Sequence, residues 1–355
     1  MLWFEILMIF VGMIISTIFQ DTFDSIYLKI RKTFLRICMA KRKNILTQSQ
    51  AFIIGNHTSS VVIVDGDGYT AFDNNNLITH VMDTYSHDLP EEIVELRKNT
   101  VETINERKSR GEAVPWNGET LSLYKYIVSR TTTTEDFLLE IFLEKKDYYT
   151  VYSTINNLNY GSPSLSDKYI ETFNFENNTI YPLPNSVGIC LCVRTKDDKM
   201  IFAVRSSNSG YRPGQSDVSV VEGLNPRYDL KQNSVDLLAV CHRAINEEIG
   251  NIESDKIDVS VLGFVFDKMY NQWNFIGDAY IDMTQDELIL RRNSGTAGKW
   301  ELKNLDFINV HPKDVFQYLS THKMWDMGLV TTYFSLVHYG YSKEKLEKYF
   351  SKYSN

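Results

Sequence analysis

The segment HRAINEEIG, residues 242–250, brings an arginine and two glutamates close together on what reads as a helix. Residues three and four apart share a helical face, so positions 244, 247 and 248 project together and Arg243 precedes Glu247 by one turn. Grouped carboxylates are costly unless neutralised, and a hard divalent cation such as Mg²⁺, bound through oxygen, is the usual neutraliser. Such a cation holds a pyrophosphate and activates water to attack phosphorus. Glu247 and Glu248 are therefore the candidate metal ligands and catalytic acids, and Mg²⁺ is the implied cofactor. At position 244, on the same face, the chain has Ala244 and no third acid. Glu222, Asp229 and Asp236 are near enough in sequence to replace it, although no spacing compels any of them. The alternative is that Arg243 and the two glutamates form surface ion pairs and Gly250 simply ends the helix.

Other residue types suit recognition rather than turnover. Arg205 and Arg212 flank a glycine-containing loop, and a guanidinium fork matches phosphate oxygens in pairs. With Glu222 and Arg243 they make up the polar candidates for ligand binding. Tyr211 and Trp273 offer rings that could stack on a base, against the commoner use of aromatic side chains as core.

The elements that must position these groups read as strand 186–194, a turn at 195–199, strand 200–206, strand 218–223, a long loop, the helix of the motif, and strands 259–267 and 274–282. Pro312 and Lys313 open a further helix, and 325–341 reads as a core helix, too short and polar for a membrane. In this order of parts, over about residues 183 to 310, the chain resembles the Nudix superfamily. The family's helix reads R-E-U-x-E-E-x-G-U, with U bulky and aliphatic. Here Arg243, Glu247, Glu248 and Gly250 match, Ala244 replaces the first glutamate, and the last aliphatic is delayed to Ile252. Upstream, the family's glycine falls at Asp229 and its glutamate at Val235, with Gly223 as a displaced counterpart of the glycine. The resemblance implies a Nudix-like α/β/α sandwich with a mixed sheet and Mg²⁺-dependent cleavage of nucleoside diphosphate-linked substrates. Reducing the acid face from three to two weakens the expectation of metal binding.

Residues Leu2–Phe19 carry no charge except Glu5 and are apolar apart from it, Ser16 and Thr17, close to the roughly 20 residues that span a bilayer as a helix. No cation precedes this run, which fits a cleaved signal poorly. Lys29, Arg31, Lys32, Arg36, Lys41, Arg42 and Lys43 follow it and place that side in the cytoplasm. Apolar residues at Phe23, Ile26, Ile30, Phe34 and Ile37 alternate with these cations at helical spacing, as on a membrane surface. Residues 51–72 suggest a hairpin turning at Asp65–Gly68; a calcium loop there fails because its sixth position is Thr70 rather than glycine. A charged helix is expected from Pro90 to Gly111 and a capped core helix over Thr132–Lys146. A strand over 147–155 and a polar domain connection over 156–184 complete this half.

The expected fold class is thus α+β. Its parts are a transmembrane helix (1–20), a basic juxtamembrane helix (21–45), an accessory α+β domain (46–180), the Nudix-like domain (181–340) and a C-terminal tail (341–355). Hydrophobic residues at 43% supply a real core, and a net charge of −8 argues against long nucleic acid as a partner. Four cysteines without metal spacing read as reduced core thiols. One apolar span before a cytosolic Nudix-like part resembles, in architecture, the membrane-anchored Nudix effectors of bacterial cyclic-oligonucleotide antiphage systems. That resemblance implies an inner-membrane, oligomeric protein that responds to a nucleotide or cyclic oligonucleotide and compromises the membrane. A membrane-tethered Mg²⁺-dependent hydrolase and a protein-binding scaffold are the alternatives.

Overall fold

The computed structural model describes residues 51–73, 75–82, 89–130, 137–175, 178–206, 212, 214–293 and 302–353. The expected anchor and basic helix therefore lie outside the described residues, as do Thr132, Glu135 and Tyr211. No helix among the described residues is long and apolar enough to cross a membrane.

The chain is mixed α+β. In order, β1 (Ala51–Ile54), β2 (His57–Asp65) and β3 (Leu77–Met82) precede α1 (Glu91–Ser109), β4 (Glu119–Arg130), β5 (Phe137–Asp147) and α2 (Tyr148–Asn156). Next come β6 (Ser186–Thr195), β7 (Lys199–Arg205), β8 (Ser216–Val218), β9 (Val220–Gly223), α3 (Pro226–Asp229), β10 (Leu230–Lys231), β11 (Ser234–Val235) and α4 (Leu237–Glu248). The remainder is β12 (Ile257–Asp267), β13 (Gln272–Ile281), α5 (Gln285–Asn293), β14 (Leu302–Asn309), α6 (Pro312–Thr321), α7 (Asp326–Tyr339) and α8 (Lys343–Tyr353).

The main sheet runs β1-β2-β12-β13-β6-β7-β14, with β8 added beside β7 and β9 beside β6. Its β13–β6 pair is parallel and its other pairs antiparallel. Because side chains alternate across a strand, β6 serves two layers. Val187, Ile189, Leu191 and Val193 join the core that holds Ala244 and Ile245 of α4, while Cys192 points the other way to Thr332 of α7. α7 is buried along almost its whole length, as expected of a core helix, and ends where Gly340 takes φ 119°, a left-handed conformation that suits glycine. α1 also forms as expected, opening after Pro90 and closing with Gly111 at φ 77°.

Several expectations are overturned. The hairpin of 51–72 turns at Gly55 (φ 56°) and Asn56, not at Asp65–Gly68, where β2 instead ends against β12. The helix expected over Thr132–Lys146 is, in its described part, the strand β5, the middle of a β3-β5-β4 sheet. Leu139, Ile141 and Leu143 alternate into the core, a spacing that short apolar runs satisfy as readily as a helical one. Conversely, the strand expected at 147–155 is the helix α2, whose Ser153 and Thr154 hydroxyls donate to the Thr150 carbonyl at 3.0 and 2.8 Å. The passage 156–184 is not a bare connection: Leu158, Leu165, Ile170, Phe175, Tyr181 and Leu183 are buried in the same core. That core joins the three-stranded sheet to β6, β12 and β13, and Thr47–Asn355 is one compact unit. The segment expected to be a tail carries α8, with Leu346 and Phe350 buried.

Candidate functional site

The helix of the motif, α4, starts where the Asp236 side chain accepts the Ala239 N–H at 3.1 Å, so Asp236 is a cap, paired also with Lys231, rather than a ligand. At its other end Arg292 of α5 donates to the Glu248 carbonyl and, at 3.4 Å, to that of Ile249. The helix does stop just before Gly250, whose N–H donates to the Ile245 carbonyl at 3.2 Å, and the guanidinium adds to that stop. Leu237, Val240, Cys241, Ala244 and Ile245 face the core. Ala244 is wholly buried, so on the inner side of the motif there is a methyl group in place of a carboxylate.

Arg243 organises the outer side. Its Nε and Nη2 donate to the two Asp229 oxygens at 2.9 and 3.0 Å, a bidentate fork. Its Nη1 reaches Glu222 and Glu247, both at 3.1 Å. Burial works against the Arg243 charge, but the bonds to Asp229 and then Glu222 outweigh it and hold the guanidinium above its usual range. Burial pushes the Glu222 carboxyl up, against the pull of Arg243. Asp229 is the best shielded of the three acids, its side chain 2% exposed against 29% for Glu222 and 45% for Glu247. It also accepts the Asn225 N–H at 2.7 Å, a bond within the short α3, while the Arg243 fork ties α3 to α4.

A divalent cation does not fit this arrangement. The three acids that could collect around it are already engaged by Arg243, and Ala244 supplies no oxygen. Among the described residues no group of three or more His, Cys, Asp or Glu side chains could hold a metal ion. The structure therefore unites Glu222, Asp229, Arg243 and Glu247, while Glu248 lies beside Arg292, whose charge it supports. Val235, at the position of the family's upstream glutamate, is buried in β11 against Thr79, and Gly223 is an exposed strand end.

The other recognition candidates are placed differently. Trp273 is fully buried and stacks on Phe264 at 5.4 Å within a cluster that includes Tyr126, Phe175, Tyr181 and Phe266. It is core, because β13 is a central strand and both its faces are covered. Arg205 is 8% exposed at the end of β7. Arg212 pairs with Asp217 at 2.9 Å, and its guanidinium lies 3.9 Å from the Trp325 ring centre. Burial raises Asp217, with Arg212 and then Arg205 opposing it.

Sequence reasoning missed a second polar group beside this pair. Asp267, wholly buried, accepts the Ser60 hydroxyl at 2.9 Å, the Met269 N–H at 2.8 Å and the Trp325 indole N–H. Asp326 accepts the Ser60 N–H at 2.7 Å and His57 Nε2 at 2.9 Å. Ser60 lies 207 positions from Asp267 and 266 from Asp326, and no local pattern marks them.

No family model and no curated protein matches this chain. Among solved structures, the crystal structure of DR0079 from Deinococcus radiodurans is similar at 13% identity, covering 41% of this chain and 80% of that one, with a TM-score of 0.31.

Proposed function

We propose that this protein is a membrane-anchored, Nudix-like nucleotide sensor that binds its ligand without turning it over and acts by compromising the inner membrane. The observation that carries the non-hydrolytic part is the Arg243 cluster. Of the acids that a metal-dependent hydrolase could give to Mg²⁺, Glu222, Asp229 and Glu247 are neutralised by the Arg243 guanidinium, Glu248 is left beside Arg292, and Ala244 supplies no further oxygen. Without the cation there is no Lewis acid to activate water at phosphorus. The membrane part rests on the apolar run Leu2–Phe19 and the cations that follow it, which also orient the remainder of the chain toward the cytoplasm. Anionic lipid would hold the basic flank, and self-association of anchors would give a ligand-dependent route to membrane damage.

The test uses the full-length protein in lipid nanodiscs, with Mg²⁺ and two probes: a cyclic oligonucleotide and a nucleoside diphosphate-sugar. Binding of the intact cyclic oligonucleotide with no phosphate-bond cleavage is expected. Mg²⁺-dependent cleavage of either probe, abolished by Glu248→Gln, would instead establish the hydrolase. Deleting residues 2–19 should release the protein from membranes, and its retention there would refute the single anchor.

A further inference from the structure

At the N-terminus of α7 one indole serves two neighbours at once. The face of Trp325, a residue 4% exposed, receives the Arg212 guanidinium, and its N–H donates to Asp267 at the end of β12. Arg212 arrives from the loop after β7 with φ 46°, a left-handed conformation unusual for a residue with a side chain. It brings its charge to Asp217 and lies 6.0 Å from the Tyr270 ring, which meets Trp325 edge-on. On the other side, Asp267 holds the Ser60 hydroxyl, and Asp326 holds the Ser60 N–H and His57. His57 and Ser60 belong to β2, the strand that follows β1 after the N-terminal segment.

We propose that Trp325 is a relay residue, which makes the grip of α7 and β12 on β2 depend on where the Arg212 guanidinium sits. A cation on the ring face fixes the indole plane and polarises its N–H toward the acceptor. Withdrawal of Arg212 therefore removes the support of the ring, leaves the buried Asp217 with Arg205 as the remaining charge to oppose its burial, and slackens the donor on which Asp267 depends. A buried carboxylate that loses a donor holds its proton more tightly, and its bond to Ser60 changes with it. Burial already lifts Asp267 to about 6 against its three donors, so this is a group poised to respond. The charged and titratable groups around it are His57 on β2, Asp326 on α7, Asp217 on β8, and Arg212 and Tyr270 from the loops.

This relay deepens the sensor reading, since an anionic ligand that captures Arg212 would act through it, but its test needs no ligand. Amide hydrogen exchange is followed across residues 57–65, 91–109 and 216–223 of the full-length protein in nanodiscs between pH 5 and 8, corrected for intrinsic rates. Trp325→Phe keeps the ring and removes the donor. The pH midpoint for protection of 57–65 should move up by about half a unit or more, with 91–109 unchanged. Arg212→Lys keeps a charge for Asp217 and loses the planar stack, and should move the same midpoint in the same direction by less. An unmoved midpoint in a folded Trp325→Phe protein overturns the relay. So does an Arg212→Lys protein altered only at 216–223, and this second variant decides the matter if the first does not fold. A chain that shows these shifts but binds no nucleotide keeps the relay and loses the sensor reading.

Discussion

Replacing Arg243 by glutamine gives the sharpest test of the charge arrangement in the candidate site. The substitution removes a guanidinium whose four bonds serve Asp229, Glu222 and Glu247. The contributions are unequal. Glu247 and Glu222 are exposed enough for solvent to screen them, so each pairing is worth about 1 kcal/mol or less. Asp229 is not, and removing one partner of a buried pair costs about 3–5 kcal/mol. Glutamine retains one donor group, so we expect a loss of about 3 kcal/mol at pH 7, or roughly 5 °C in Tm for a unit of this size. The variant should also gain a property the native chain lacks. With the guanidinium gone, three carboxylates share one pocket of negative charge, and millimolar Mg²⁺ should recover part of the lost Tm. The assay is thermal and urea unfolding with and without Mg²⁺. A variant as stable as the native chain would refute the account of the cluster. A native chain that Mg²⁺ stabilises strongly would refute the claim that Arg243 occupies the place of the cation.

Three further outcomes follow from the packing. The Asp267 carboxyl has its folded pKa raised to about 6 from 3.8, so the folded state holds its proton more tightly than the unfolded state does. The stability this gives is present below about pH 4 and is lost as pH rises to about 6, a change of about 3 kcal/mol that Asp267→Asn should remove. The check is the difference between the two urea-unfolding profiles from pH 4 to 7.5, and parallel profiles would defeat it. Trp273→Ala should cost about 3–5 kcal/mol as a core deletion, whereas Trp273→Phe should cost far less, because the Trp273 indole N–H has no partner among the described residues. A ligand-binding defect in the phenylalanine variant, at unchanged stability, would return this residue to the site. Gly340→Ala, at φ 119°, should cost about 1–2 kcal/mol by the same unfolding measurement, since a Cβ is strained there.

Much of the C-terminal half was legible in the sequence. Strands β6, β7, β12 and β13 and helices α4 and α7 fall where long apolar patterns place them and α6 where Pro312 opens it, whereas the single strand expected over 218–223 is broken at Ser219 into β8 and β9. The pairing of Arg243 with Glu247 was also open to inspection, as residues four apart on a helix must meet. The errors cluster where pattern is weak. FLLEIFLEKK satisfies both periods and became a strand because β3 and β4 flank it, while the β-branched run of α2 became a helix whose hydroxyls bond their own backbone.

What the sequence determined by itself is therefore local: helical faces, strand alternation, the alanine at position 244, and an apolar N-terminal run with its cations. Which charges face each other was settled by packing between distant elements. Asp229 was a misplaced glycine until α3 folded it under Arg243, and Trp273 was a candidate base-stacking ring until β13 took the centre of the sheet. Ser60, Asp267 and Asp326 were unremarkable polar residues until β2, β12 and α7 converged. The physical reason is the same in each case. Burial and charge compensation depend on neighbours supplied by distant parts of the chain, and spacing along the backbone carries no record of them.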